Sequence, residues 1–241
     1  MRRAARILGT AMLLAGVLTL AWTVVVWRWQ DPFTALYTHW QQQRLTRAYD
    51  SEVSHYRVRA PATVKASPAA EQELIAGEAR RFRQSLRRGQ PLGRIVIGRI
   101  GLKMMVVNGT DHESLKRGPG RDLRTFMPGE NRLVYIAGHR TTYLAPFSHI
   151  DDIEPGDYIR LEVPYATFVY RATGHRIVTA TDLSVLRSPA HEQLELQACH
   201  PRFFATHRYI VYARLVRVEP RRGSPYAAPS ATAVASGTSS S

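Results

Sequence analysis

The chain has 241 residues, of which 44% are hydrophobic and 22% charged, so most of it can fold around a hydrophobic core. Its 33 Lys and Arg residues outnumber its 19 Asp and Glu residues, which gives a net charge of +14. The single cysteine excludes an intrachain disulfide framework and any structural zinc site that needs several thiolates.

The first segment predicts a membrane-spanning helix. Residues 7–27 (ILGTAMLLAGVLTLAWTVVVW) contain no charge and are long enough to cross a bilayer. Because arginines crowd residues 1–6, the positive-inside rule predicts a cytoplasmic N-terminus and an extracytoplasmic remainder. The alternatives are a cleavable signal peptide, whose apolar region is usually shorter, and a buried helix of a soluble protein. We expect an uncleaved single-pass anchor in the cytoplasmic membrane.

Residues 28–92 predict a basic stalk. Residues 28–103 hold 14 basic and 6 acidic side chains, whereas residues 104–220 hold 14 and 13. The excess therefore lies next to the membrane segment, where it would attract anionic lipids or wall polymers, and we expect no nucleic-acid partner. Residues 30–68 show little apolar periodicity and predict a linker or weakly ordered stalk. Residues 69–88 predict an amphipathic helix, packed on the folded domain or the lipid.

Residues 93–220 predict a mainly β domain. Short β-rich runs occupy residues 94–100, 103–107, 132–138, 157–163, 167–174, 176–180, 192–199 and 208–219. Turn signals separate them, and residues 111–116 and 148–153 predict short helical turns. About eight short strands with little helix indicate a closed or nearly closed β-barrel. Residues 221–241 are rich in Ala, Ser and Pro and predict a disordered tail.

Cys199 is a candidate nucleophile at the end of a predicted strand. A lone cysteine is most often a small buried hydrophobic residue, but an unpaired thiol in an exported protein needs an explanation. A thiol also needs a nearby base or cation, since its ordinary pKa of about 8.5 leaves little thiolate at neutral pH.

Two other strand ends offer partners for this thiol. His139 follows the apolar strand LVYIAG, although a surface histidine is the simpler interpretation of that residue alone. Arg208 begins the last strand and returns beside Cys199 if the two strands form a hairpin. Its guanidinium could then stabilise an oxyanion or hold a peptide carbonyl, the alternative being a solvated arginine. His200 adjoins Cys199 in sequence but points to the opposite face of an extended strand.

The segments AGHRTTYLAPF and LELQACHPRFFATHRYIVYARLV, with the N-terminal anchor, resemble the sortases, bacterial cell-surface cysteine transpeptidases, and among them class E of actinobacteria. The resemblance covers roughly residues 90–220 and implies an eight-stranded sortase β-barrel over residues 93–220. It implies catalytic roles for Cys199 as nucleophile, His139 as acid or base, and Arg208 as oxyanion and substrate-positioning group.

The resemblance also implies substrate-binding residues and shows one departure. Tyr143 lies in YLAPF, where class E enzymes carry a Tyr-x-x-Pro-Phe loop associated with Ala in the sorting signal. The family usually reads Thr-Leu-x-Thr-Cys before the nucleophile, but here the segment is ELQAC, which keeps Leu196 and loses both threonines. We expect Leu196 and Ala198 to contact the substrate, and Glu195 and Ala198 to alter substrate preference and rate.

By this resemblance the chain cleaves an LAxTG or LPxTG sorting signal between Thr and Gly and joins the new carboxyl group to an amine. The implied partners are secreted proteins with C-terminal sorting signals and an amine acceptor from a peptidoglycan precursor or a pilin. No cofactor is expected; an acidic group could bind calcium, but a solvated turn is the simpler interpretation of Asp151, Asp152, Glu154 and Asp157. The alternatives are a catalytically silent, membrane-anchored binding or scaffold module and an L,D-transpeptidase, whose usual Ser-x-Gly-Cys context is absent.

Overall fold

The computed structural model describes residues 2–29, 32–58 and 67–228. Within them, helices dominate the first third of the chain and β-strands the rest. The α-helices are α1 (Arg2–Trp29), α2 (Pro32–His55), α3 (Pro68–Ser85) and α4 (His112–Leu115). Short 3-10 turns occur at Gly98–Ile100, Ile150–Asp152 and Leu183–Leu186. The predicted helical turns at 111–116 and 148–153 correspond to α4 and to the second of these 3-10 turns.

Helix α1 has the length and composition of a membrane span. Its segment Arg2–Val24 has 23 residues and a mean hydropathy of 2.0, and none of the most apolar part is buried within the protein. At 1.5 Å per residue the segment is about 35 Å long, more than the hydrocarbon core of a bilayer requires.

The prediction of a weakly ordered linker over residues 30–68 is wrong for Pro32–His55, which form helix α2. Thr38, Leu45 and Tyr49 lie on one side of this helix and are buried. Leu45 and Tyr49 form a small apolar cluster with Met105 and Val107 of the barrel. The segment between His55 and α3 includes residues 59–66, which lie outside the described residues. Where it is described, the predicted stalk is therefore a helix packed on the domain.

Gln42 fixes α2 to the backbone of the barrel. The Met105 N–H donates to Gln42 Oε1 at 2.6 Å, and Gln42 Nε2 donates to the carbonyl oxygens of Met105 and Arg117 at 3.1 and 2.7 Å. Helical spacing relates Thr38, Gln42, Leu45 and Tyr49, but half of this buried face is polar. The apolar periodicity is consequently weak, which is why the sequence did not predict the helix.

Helix α3 matches the predicted helix 69–88 but ends three residues earlier. Ser67 caps its first turn by accepting a hydrogen bond from the Ala70 N–H at 3.3 Å. Ile75, Ala79 and Phe82 are buried in the main core, so α3 packs on the barrel.

The strands form one closed barrel. They are β1 (Pro91–Ile97), β2 (Leu102–Asn108), β3 (Gly120–Arg121), β4 (Leu133–Ala137), β5 (Tyr158–Val163), β6 (Ala166–Thr179), β7 (Gln193–His200), β8 (His207–Pro220) and β9 (Tyr226–Ala227). The order is β6-β5-β1-β2-β3-β4-β7-β8, and pairing of β6 with β8 closes the barrel. The pairs β2–β3 and β4–β7 are parallel, and the others are antiparallel. The prediction of an eight-stranded β-barrel with short helices is confirmed.

Three details of the strands differ from the prediction. The runs 167–174 and 176–180 are one strand, β6, because an irregularity between Ala172 and Gly174 bends the strand without ending it. The two-residue strand β3 is too short to give a period-2 pattern. Within the predicted disordered tail 221–241, Tyr226–Ala227 pairs with β8, while residues 229–241 lie outside the described residues.

Strand β4 is apolar on both faces, whereas the outer face of β7 carries Gln193, Glu195 and Gln197. Alternate residues, among them Ile136, Leu196 and Val211, fill the barrel interior. A second apolar cluster lies on the outer face. It consists of Leu133, Tyr135, Ala137, Val178, Val185 and Ile210, with Leu115, Leu186 and Tyr212 at its margin. This outer face continues toward the strand ends that carry the candidate site.

Candidate active site

Cys199 lies at the end of β7 on the outer face of the barrel. It is half-buried and has no disulfide partner. Its neighbour Ala198 is buried in the core, so the alternation of a β-strand turns the Cys199 side chain to the opposite face. A thiol at this position meets solvent at the margin of the outer cluster.

Arg208 lies directly across the antiparallel pair from Cys199. The two residues are paired in the register of β7 and β8, and such pairs share one face of a sheet. The predicted return of Arg208 beside Cys199 agrees with this register. Arg208 Nη1 donates to the carbonyl oxygens of Ala205 and His207 at 2.8 and 2.9 Å, so the loop between the strands holds the guanidinium.

The parallel neighbour of β7 brings His139 to the other side of Cys199. Ala137 of β4 is paired with Gln197, and the Gly138 N–H donates to the Gln197 carbonyl oxygen at 3.0 Å. His139 directly follows Gly138, so it lies beside the end of β7 that carries Cys199. Three adjacent strands therefore present His139, Cys199 and Arg208 in one row.

His139 has the properties of a base that is neutral at rest. Its pKa is lowered below the ordinary 6.5, chiefly by burial and further by the nearby His112. Its buried Nε2 has no hydrogen-bond partner among the described residues. The ring contacts that of Tyr143, with 5.1 Å between centroids. A neutral imidazole can accept the proton of a neighbouring thiol.

A tight loop after β4 determines the position of His139. A Cβ atom on Gly138 would lie 2.7 Å from the ring of Phe147, so only glycine fits there. The Phe147 N–H donates to the His139 carbonyl oxygen at 3.1 Å and closes the loop. Between them Tyr143, Leu144 and Ala145 have φ of +54°, +59° and +36°, a left-handed backbone that L-residues rarely adopt. The Tyr143 N–H donates to Thr34 Oγ1 of α2 at 3.2 Å, so α2 supports this loop.

Arg140 is a site residue that the sequence analysis missed. Its side chain is buried; Nη1 donates to the Cys199 carbonyl oxygen at 3.3 Å and contacts His200 Nδ1 at 3.1 Å. Nη2 forms an ion pair with Asp151 at 2.5 Å. Arg140 thus connects the loop of His139 to the backbone of Cys199. Its place directly after His139, with an acidic turn nearby, was the only signal in the sequence.

The comparisons with known proteins identify the family. The family model described as "Sortase domain" matches residues 95–216, half of the chain. The chain belongs to the sortase family. It is 33% identical over 132 residues to sortase D of Bacillus subtilis, covering 53% of this chain and 65% of that protein. It is 35% identical over 115 residues to sortase SrtE1 of Streptomyces coelicolor, covering 43% of this chain and 32% of that protein.

A solved structure shows the same fold. The sortase D5 transpeptidase of Clostridium perfringens superimposes with a TM-score of 0.58 at 22% identity, over 73% of this chain and 98% of that one. The chain therefore covers less than two thirds of the two sequence relatives but nearly all of this structure.

In this sortase, strand β7 places in the core two residues that were predicted to contact the substrate. Leu196 and Ala198 are fully buried in the barrel interior, on the face opposite to Cys199. A peptide on the outer face would meet the partly exposed Gln197, whereas Glu195 on the same face is buried. The loss of the second threonine thus changes a core residue, whereas Glu195 replaces the first threonine on the face of the nucleophile.

Glu195 is a buried carboxyl group in this sortase. It is 3% exposed, Gln193 Nε2 donates to its Oε1 at 2.7 Å, and its Oε2 has no partner among the described residues. Burial raises its pKa to about 7, and the Gln193 hydrogen bond opposes this rise.

The four acidic side chains between residues 151 and 157 all form ion pairs. Asp151 pairs with Arg140 and Asp152 with His149, while Glu154 and Asp157 both pair with Arg99. Among the described residues, no group of three or more His, Cys, Asp or Glu side chains could hold a metal ion.

Proposed function

We propose that this sortase is a membrane-anchored, extracytoplasmic cysteine transpeptidase. In this proposal it cleaves an LAxTG- or LPxTG-type sorting signal between Thr and Gly and links the protein to an amine. The observation that carries the proposal is the row of His139, Cys199 and Arg208 at the ends of three adjacent strands. A nucleophile between a neutral base and a fixed cation is the arrangement that acyl transfer to a thiol requires.

The first half-reaction releases the glycine amine. His139 accepts the proton of the Cys199 thiol, and the thiolate attacks the Thr carbonyl carbon. Arg208 exchanges its bond to the Ala205 carbonyl for one to the oxyanion. As the Thr–Gly C–N bond breaks, protonated His139 gives its proton to the leaving amine, and a thioester to Cys199 remains.

The second half-reaction forms the new amide. An amine of a peptidoglycan precursor or a pilin attacks the thioester carbonyl, with His139 as the base that takes its proton. The Cys199 sulfur leaves and regains a proton from His139. The amine acceptors and sorting-signal proteins follow from the family, and the Tyr143 loop sequence YLAPF supports a class E preference for Ala in the signal.

The membrane location follows from α1. Its apolar span precedes the domain, and the arginines at its start support a cytoplasmic N-terminus under the positive-inside rule. Cys199 and the barrel then lie outside the cytoplasmic membrane, on the side where secreted proteins and wall precursors are found.

Mass spectrometry of the full chain in detergent tests the proposal. We expect incubation with LAxTG and LPxTG peptides to give a thioacyl adduct on Cys199, and added diglycine to give a ligated peptide. Cys199→Ala should form neither, while Cys199 of the wild type should react selectively with a methanethiosulfonate. Peptide cleavage by Cys199→Ala would overturn the mechanism. Labelling without adduct or cleavage would favour the silent scaffold module.

A further inference from the structure

We propose that the active-site end of the barrel carries a surface that lies in the headgroup region of a lipid bilayer. We call it the interfacial surface; it consists of Leu36, Tyr37 and Trp40 of α2 and Phe203 and Phe204 of the β7–β8 loop. The proposal rests on the membrane-anchored function proposed above and adds that the bilayer contacts the catalytic domain as well as α1.

The members of the interfacial surface are large apolar side chains exposed to solvent. Leu36, Tyr37 and Trp40 are 71%, 40% and 50% exposed, and Phe203 and Phe204 are 60% and 78% exposed. On α2, Trp40 lies one turn after Leu36 and Tyr37, and all three are on the side opposite to the buried residues Thr38, Leu45 and Tyr49. Exposed apolar groups that cluster in this way mark an interaction surface.

The two parts of the interfacial surface belong to the same end of the barrel. Strands β4 and β7 are parallel, so the loops that follow them leave the same edge. The loop after β4 contains Tyr143, which donates its N–H to Thr34 in the first turn of α2. The loop after β7 contains Phe203 and Phe204, four and five residues beyond Cys199. The first turns of α2 and this loop therefore flank one site.

The length of the chain places this end close to the membrane. Helix α1 ends at Trp29 and α2 begins at Pro32. Thr34 is five residues after Trp29, a distance of at most about 18 Å even if the chain is fully extended. Thr34 therefore lies within that distance of the end of α1, and the Tyr143 loop is hydrogen-bonded to Thr34.

The charges around the surface fit anionic headgroups. Residues 34–47 and 200–208 contain no Asp or Glu. The Arg44 guanidinium lies 4.4 Å from the centre of the Trp40 ring, and that of Arg202 lies 5.9 Å from the Phe203 ring. An aromatic side chain with a cation beside it is typical of the interface between lipid tails and headgroups.

Depth-dependent quenching in vesicles tests the proposal. The full chain with Cys199→Ala receives one new cysteine, Leu36→Cys or Phe204→Cys, which is labelled with a bimane fluorophore. A third variant, Leu123→Cys, is the matched control, since Leu123 is 42% exposed but lies near the start of β4, at the opposite end of the barrel. Each is reconstituted into phosphatidylcholine–phosphatidylglycerol vesicles, with and without a nitroxide lipid labelled near the top of its acyl chain.

We expect the nitroxide lipid to reduce bimane emission about twofold at positions 36 and 204, since interfacial side chains reach the quencher depth, and to leave position 123 unchanged. If the nitroxide lipid left bimane emission unchanged at positions 36 and 204 in vesicles that carry the protein, the interfacial surface would be overturned but the anchor would not. Protein that fails to float with the vesicles would overturn the anchor and this proposal together. Peptide ligation by the unlabelled wild type, measured separately, tests the enzymatic function independently of either result.

Discussion

Glu195 is a buried ionisable group on the outer face of the barrel. Its carboxyl group is 3% exposed and lies between Tyr135 of β4 and Tyr212 of β8 in the register of the sheet. Because burial opposes the charged form, the pKa of Glu195 in the folded chain is raised from 4.5 to about 7. The folded state then binds more protons than the unfolded state between these two pH values, so its stability falls as the pH rises through this range.

We predict that Glu195→Gln stabilises the protein at high pH only. The neutral amide keeps a hydrogen-bonding group without the charge, so the gain should reach about 3 kcal/mol above pH 7 and disappear below the unfolded pKa of 4.5. Thermal unfolding of the full chain in detergent at pH 4 and pH 8 measures this difference. Glu73→Gln, at a side chain that is 76% exposed, is the control and should shift Tm at neither pH. An equal Tm difference at both pH values would contradict the prediction.

The alternation of side chains along β7 explains which candidate site residues could be predicted from the sequence. The positions of Cys199, His139 and Arg208 at strand ends were predictable, because each adjoins a strand whose pattern is clear. Side chains alternate along β7, so Ala198 and His200 both point to the face opposite to Cys199. The same rule, applied to Leu196 and Ala198, would have predicted that both lie in the core. Arg140 could not be found in this way, since its contact with Cys199 depends on how the loop after β4 folds back.

Among the elements, α2 lies between α1 and the barrel and contacts the loop that carries His139. Three consecutive left-handed residues, Tyr143, Leu144 and Ala145, need support from outside the loop. The hydrogen bond from the Tyr143 N–H to Thr34 Oγ1 supplies it. The sequence predicted the strands and α3 from apolar periodicity but could not predict α2, because half of the face that α2 buries against the barrel is polar.

We predict that Thr34→Val lowers the turnover number more than it raises KM. Valine has the shape of threonine but cannot accept the Tyr143 N–H, and the loss of a hydrogen bond worth about 1 kcal/mol corresponds to roughly a fivefold effect. Steady-state ligation assays of the full chain measure both constants, and Thr34→Ser, which keeps the hydroxyl, should restore the rate. If Thr34→Val and Thr34→Ser have the same turnover number as the wild type, α2 does not position the loop.

At the scale of the whole molecule, the two N-terminal helices have different relations to the barrel. The apolar segment of α1 buries none of its surface within the protein. Helix α2 instead buries Leu45 and Tyr49 against Met105 and Val107, and Gln42 satisfies backbone groups of the barrel. Helix α2 is therefore packed on the barrel, although it precedes the predicted start of the barrel at residue 93.

We predict that deleting residues 1–31 leaves the domain stable, whereas deleting residues 1–58 does not. Loss of α2 exposes the apolar groups under Leu45 and Tyr49, each worth about 2 kcal/mol, and leaves the Met105 N–H without its partner. In a domain of this size that should lower Tm by about 10 °C or more. Since α2 also supports the Tyr143 loop, the shorter chain should lose most of its peptide ligation even below its Tm. Differential scanning calorimetry and ligation assays on the two deletions check both effects, and equal Tm and activity would show that α2 is a tether with no part in the fold.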